Sequence, residues 1–202
     1  MDLTELNQSS VRLPIDFYAR PAEQVARECL GKILVHGDMA GRIVEVEAYL
    51  GERDLAAHAA RGITPRTRVL FGPPGHAYVY LIYGMYECLN FVAEQEGSAG
   101  CVLIRALEPI AGIDLMRLRR PAAKRDRDLA SGPGRLTLAL GITRELNGSS
   151  LLTGPLQVRR LHHEASIEVA ITPRVGITQC TDWPLRFVIA GSAYASKIPV
   201  RQ

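Results

Sequence analysis

The chain has 202 residues, 47% of them hydrophobic, a formal net charge of +3 and four cysteines. That length and apolar content suffice for one substantial core, expected as a single domain over residues 1–202, and they exclude a disordered or fibrous polypeptide. The start MDLTELNQSSVRLP has two acids and no apolar run, and no stretch of about eighteen consecutive apolar residues occurs, so neither a secretion signal nor a membrane span is expected and a cytoplasmic, nucleoid-associated location is.

In chain order, Arg20-Pro21 opens a helical pattern in which Val25, Ala26, Cys29 and Leu30 recur at helix spacing, and Gly31 stops it, which predicts a helix over 21–30. KILVHGDMAGRIVEVEAYLG then reads as strand, turn, strand. Alternation within GRIVEVEAYLG puts Ile43, Glu45, Glu47 and Tyr49 on one face and Val44, Val46 and Ala48 on the other. Residues 51–75 combine an Ala-rich turn of helix with a Pro- and Gly-punctuated loop, a good location for a site. HAYVYLIYGMYECLNFV predicts a β-hairpin with Gly84 and Met85 as its turn, Tyr83 facing Tyr86, and Tyr80 near Leu89 and Asn90. Tyr78, Tyr80 and Ile82 share one face of it, and Val79, Leu81 and Tyr83 the other. CVLIRALEP is a further strand, 112–119 and 132–140 are helical, and LLTGPLQVRRL, ASIEVAIT and LRFVIAG are rich in strand formers. The expected class is α+β: a curved, mostly antiparallel sheet with flanking helices and a protruding hairpin.

Several groups could carry chemistry, and each also has a plain structural reading. Glu45, Glu47 and Tyr49 on one strand face could hold a general base, or they could be wet side chains of a solvent-facing strand. A metal site from Glu45, Glu47 and His58 has nothing to fix its coordination number, and no metal or other cofactor is expected. Cys29, Cys88, Cys101 and Cys180 lack the two-residue spacing of zinc and redox motifs and read as reduced structural thiols, with His162 and His163 as surface or packing residues. Arg117, Arg119, Arg120, Lys124, Arg125 and Arg127 form a basic run opposed only by Asp126, either a solvated helix end or a nucleic-acid patch. An aromatic ring at a hairpin tip is badly placed to fill a core and well placed to wedge into another macromolecule.

Taken in order, IVEVEAYLG, AAH, TPRTRVLF, YVYLIYGMYECLN, CVLIRALEP, SGPGRL and PLRF resemble the alkyladenine, or 3-methyladenine, DNA glycosylase family from about residue 16 to residue 197. The resemblance implies a monofunctional N-glycosyl hydrolase of base excision repair. Its partner would be double-stranded DNA containing damaged purines, and it would act as a monomer. The enzyme would flip the base out of the duplex and leave an abasic site. By motif, Glu47 would be the general base on the attacking water, with Arg105 and the carbonyl of Val175 holding that water. Tyr49, His58 and Tyr80 would sandwich the base, Asn90 would sit where the exocyclic amino group of guanine must go, and Tyr83 would fill the gap in the stack. Alkylated, 3-methyladenine- or 7-methylguanine-like purines and neutral hypoxanthine or ethenoadenine form the implied substrate class. Phosphate contacts would fall to Arg66, Arg68 and the basic run. Lys32, Lys124 and Lys197 lie outside the pocket motifs, so no imine-forming lyase step is expected. Departures at Ala59 and at Val69-Leu70 fall on the lesion-side loop. Two competing readings are a lesion binder without turnover and a metal-dependent nuclease using Glu45 and Glu47.

Overall fold

Two twelve-residue strands, β3 (Met39–Leu50) and β6 (Gly100–Ala111), form the spine of the molecule in a computed structural model that describes residues 2–196. Both are rich in Val, Ile, Leu and Ala and buried almost throughout, as a strand covered on both faces must be. Around them the chain adds α1 (Leu3–Ser9), β1 (Ser10–Arg12), α2 (Ile15–Tyr18), α3 (Ala22–Cys29) and β2 (Ile33–His36) on the N-terminal side. After β3 come the hairpin strands β4 (Ala77–Ile82) and β5 (Tyr86–Val92). After β6 follow α4 (Ile113–Arg119), α5 (Pro133–Leu140), β7 (Leu156–Leu161), β8 (Val169–Thr172) and β9 (Arg186–Ile189). The nine strands make one sheet, entirely antiparallel in its pairings, ordered β1-β7-β2-β3-β6-β5-β4, with β9 also pairing β3 and β8 pairing β9. The α+β expectation holds and the expected helices lie within a residue or two of their predicted places, but β7 and β8 start five and four residues into LLTGPLQVRRL and ASIEVAIT, and α1, β1 and α2 were not expected. No helix among the described residues is long and apolar enough to cross a membrane.

The sheet faces two different environments. One face carries Val46, Ala48, Val79, Leu89, Phe91, Val102 and Ile104 into the main core, where α3 contributes Val25, Ala26 and Cys29 and α5 contributes Leu136 and Leu140. Each of the Val, Leu, Ile and Phe side chains taken fully out of water stabilises the fold by about 1.5–3 kcal/mol before entropy is counted. The opposite face carries Tyr78, Val92 and Cys101, with Tyr49 and Tyr80 against them, and is covered by Ala59, Leu70 and Phe71 from the loop after β3. That loop runs through three short 3₁₀ turns, Gly51–Arg53, His58–Arg61 and Arg68–Phe71. Its first residue, Gly51, sits at φ 68°, where an added Cβ would lie 2.3 Å from the Ser98 carbonyl oxygen.

Two expectations of register are corrected. Ile43 joins Val46 and Ala48 in the main core instead of sharing the face of Glu45 and Glu47. The β3–β6 ladder is irregular between Ile43 and Glu45, where Val44 is the extra residue of a bulge, and a single extra residue reverses every side chain before it. The hairpin is also offset by one residue. Ile82 pairs with Tyr86 and Tyr80 with Cys88, and Tyr83 and Gly84, at φ 53° and 69°, are the central residues of the turn. A tight hairpin turn of this hand needs left-handed backbone at both central positions, so glycine belongs at the second, where the expected turn had methionine. Tyr83 accepts the same constraint at a cost of about 1–3 kcal/mol.

Candidate active site

The face carrying the tyrosines opens into a cleft of about 860 Å³, lined by Tyr49, His58, Tyr78, Tyr80, Asn90 and Arg105 and by the loop 175–179. The hairpin supplies Ile82, Tyr83 and Tyr86 to its rim, and the start of α5 supplies residues 132–135. Tyr78, Tyr80 and Ile82 thus lie on the cleft face of β4, as alternation predicted.

Glu47 lies behind the cleft lining, wholly buried like Glu45, so neither is a solvent-facing side chain. Its Oε1 accepts from the Val175 N–H at 2.8 Å and lies 3.2 Å from Arg105 Nη1, while its Oε2 accepts from the Tyr49 hydroxyl at 2.9 Å. Val175 thus meets Glu47 through its N–H. Burial, then the neighbouring Glu47 carboxylate, raises Tyr49 well above the usual phenol range, so Tyr49 remains a donor. A carboxylate has about four acceptor positions, so the two hydrogen-bond donors and the Arg105 ion pair leave at least one open.

Arg105 is shared between the two acids, giving Nε to Glu45 Oε1 at 2.9 Å. Burial opposes its charge, but Glu47 and Glu45 together outweigh burial and raise it further. Glu45 is held from the other side by Arg186 Nε at 2.8 Å and by Ser196, whose N–H and Oγ each donate at 2.6 Å. Burial pushes Glu45 up, yet Arg105, Ser196 and Arg186 together hold it below the ordinary carboxylate range.

A second buried pair supports the wall. Arg174 donates through Nη1 and Nη2 to the two carboxylate oxygens of Asp54, and both side chains are fully buried. The same guanidinium lies 4.6 Å from the centroid of the Tyr49 ring and donates to the Ala48 carbonyl at 3.1 Å. Arg174 thereby fixes Tyr49 from behind and holds the segment from which the next residue, Val175, reaches Glu47.

The aromatic residues form an asymmetric slot. His58 and Tyr80 touch edge to face at 4.6 Å between centroids, too close for a ring between them, and Tyr49 lines the same cleft. His58 Nδ1 meets the Tyr78 hydroxyl at 3.0 Å. Burial, then Arg66 and Arg61, lower its pKa to about 4, so it is neutral at neutral pH. Arg66 lies over the Tyr80 ring at 5.0 Å. Asn90 is buried with its amide oriented, Nδ2 donating to the Tyr78 carbonyl at 3.2 Å.

Tyr83 is 79% exposed at the tip, outside this cluster, and the hairpin is braced close to it by α5. Thr137 Oγ1 donates to the Glu87 carbonyl at 2.9 Å, and a Cβ at Gly134 would lie 2.8 Å from Tyr86 Cβ. Gly134→Ala should therefore push the hairpin off α5, costing about 1–3 kcal/mol in urea unfolding and moving Tyr83 away from its position over the cleft. Of the basic run, Arg117 pairs with Asp114 and Asp126, and Arg125 with Asp128, while Arg120 and Lys124, with Arg135 of α5, line an adjoining cleft of about 430 Å³. Among the described residues no three His, Cys, Asp or Glu converge as metal ligands, Cys29, Cys88 and Cys101 are buried free thiols, and no lysine lines the main cleft. Lys197 falls outside the described residues.

The family model described as "Methylpurine-DNA glycosylase (MPG)" matches residues 16–193. The chain belongs to the methylpurine-DNA glycosylase family. A relative from Methanoculleus marisnigri is 53% identical over 191 residues, covering 92% of this chain and 98% of its own. Relatives from Methanocella arvoryzae, 51% identical over 86% and 88% of the two chains, and Koribacter versatilis, 48% over 91% and 92%, are similarly close. All three bear the name "Putative 3-methyladenine DNA glycosylase". The chain is accordingly a DNA glycosylase, a DNA-binding hydrolase of base excision repair. The residues named by motif, Tyr49, His58, Tyr80, Tyr83, Asn90, Arg105 and Val175, line one cleft, whereas Asp54, Arg174, Arg186 and Ser196, which reach the site from distant loops and strands, were missed.

Proposed function

We propose that this methylpurine-DNA glycosylase flips alkylated or deaminated purines out of duplex DNA and hydrolyses the N-glycosidic bond with water activated by Glu47, leaving an abasic site. One observation supports the reading most directly: a wholly buried carboxylate, held by Tyr49, Arg105 and Val175, beneath a cleft that those same three residues line. The open acceptor position on Glu47 receives a proton from the water as it attacks the anomeric carbon; the glycosidic bond breaks and its electron pair leaves with the purine. One carboxylate suffices when the leaving base is already electron-poor, and Glu45, occupied by four donors, has no proton to give.

The purine stacks between Tyr49 and the His58–Tyr80 wall. Electron-poor rings gain about 0.5–2 kcal/mol from such contacts. Asn90, with its amide fixed, crowds the position of guanine's exocyclic amino group. Arg66, Arg68, Arg120, Lys124 and Arg135 meet phosphates, and the enzyme works as a monomer on one lesion. With no lysine among the described residues lining the main cleft, the reaction stops at the abasic site without strand scission.

The test is release of free base from duplexes containing 7-methylguanine or hypoxanthine, in excess chelator. Base release with abasic product is the expected result. Tight lesion binding without release would make the protein a lesion binder, and strand cleavage abolished by chelator would make it a metal-dependent nuclease. Tyr83→Ala tests the wedge separately. Because Tyr83 is 79% exposed, the fold should be unaffected. Loss of one stacked ring should weaken lesion-duplex affinity by about tenfold in a titration against an uncleavable analogue.

A further inference from the structure

The C-terminal end of the described chain touches the catalytic floor, and it does so through a residue that the proposed reaction does not use. Glu45 Oε1 accepts from Arg105 Nε at 2.9 Å, Arg186 Nε at 2.8 Å and Ser196 Oγ at 2.6 Å, while Oε2 accepts from the Ser196 N–H at 2.6 Å. Arg186, on β9 and paired in register with Glu47, is itself braced by Thr172 Oγ1 at 2.9 Å. Arg105 carries this network to the reaction, because its Nη1 lies 3.2 Å from Glu47 Oε1.

A buried carboxylate with four donors costs a great deal to desolvate unless every partner is in place, and such a cluster fixes geometry more than it adds stability. Two acids and two guanidiniums, Glu45, Glu47, Arg105 and Arg186, balance in charge, so Arg105 divides its donors between the acids and does not fold wholly onto Glu47. We infer that Glu45 is the positioning residue for this glycosylase, acting through Arg105 on Glu47, and that Ser196 latches the C-terminal segment onto it. The inference rests on the hydrolytic reading above. It adds that the tail helps to set the rate of base release without touching DNA or base.

The expected effects are specific. Glu45→Gln keeps the side chain's shape and removes its charge. Arg105 then turns toward Glu47 and occupies the acceptor position meant for water. Single-turnover release of 7-methylguanine should fall by about 10–100-fold, as expected for a small displacement of a catalytic group, with affinity for a lesion duplex within about threefold. The loss should fall on the single-turnover rate and not on affinity, the signature of a displaced catalytic group. The other partners of Glu47, the Tyr49 hydroxyl and the Val175 N–H, with the Asp54–Arg174 pair behind, are not touched by the substitution.

Ser196→Ala removes one donor and leaves every charge in place. It should slow release by about threefold with an unchanged urea midpoint, and Ser196→Thr, which retains the hydroxyl, should restore the rate. A folded Glu45→Gln protein with the wild-type rate overturns the inference. So does a slowed one whose lesion-duplex affinity falls in step with its rate, since a merely structural role would have that signature. Should Glu45→Gln fail to fold, a wild-type rate for Ser196→Ala overturns it. Wild type releasing no base at all sinks the hydrolytic reading and this one together, whereas activity lost in Glu47→Gln and kept in Glu45→Gln sinks this one alone.

Discussion

Glu47→Gln is expected to lower single-turnover release of a damaged purine by about 10³-fold while leaving lesion-duplex affinity nearly unchanged. The amide is isosteric, and the site can absorb it. Its oxygen can take the Val175 N–H and Arg105 in place of Oε1, and its nitrogen can donate to the Tyr49 oxygen in place of accepting from it. Arg105 keeps Glu45 as a counter-ion, so no guanidinium is left buried and unpaired, and the urea midpoint should move little. What disappears is the one acceptor strong enough to take a proton from water. The cleft walls and the hairpin wedge do not depend on that proton, so capture of the base should persist. Release at the wild-type rate would remove Glu47 from the mechanism, and loss of binding together with release would mean that the amide has disturbed the walls.

The parts of this site that were legible in the sequence are those where local pattern and physical role coincide. Alternation in YVYLIYG put Tyr78, Tyr80 and Ile82 on the cleft face because β4 runs without a bulge. The same rule failed at Ile43, because a bulge is a property of two paired strands and only one of them was being read. The hairpin was placed correctly and its turn was not, since a tyrosine in left-handed backbone is a choice that propensity argues against. Asp2 and Glu5 were a readable capping box for α1, with the Asp2 side chain accepting from the Glu5 N–H at 2.8 Å, but the absence of an apolar run drew attention away from it. The supporting shell was not readable at all. Asp54 meets Arg174 across 120 positions and Glu45 meets Ser196 across 151, and no periodicity links residues in irregular loops to partners so distant.

That shell is where substitution should be most damaging to the fold. Asp54→Ala is expected to destabilise the protein by about 3–5 kcal/mol in urea unfolding, a large share of what a domain of this size possesses. Asp54 accepts from the backbone N–H groups of Leu50 and Ala56, both at 3.1 Å, as well as from both terminal nitrogens of Arg174. Without it, Arg174 is a buried cation left with the Ala48 carbonyl as acceptor, and its Nε already has no partner. The double variant Asp54→Ala/Arg174→Met should cost less than the sum of the two single changes, because it removes the stranded charge along with its partner. If the two effects simply add, the pair is not a coupled unit. The double variant should nevertheless remain slow in base release. Arg174 is what holds the Tyr49 ring from behind and places Val175 against Glu47, and a methionine packing on that ring restores the volume without restoring either hydrogen bond. Stability recovered with activity still lost would separate the two roles of the pair, and recovery of both would show that Tyr49 and Val175 need only a filled space behind them.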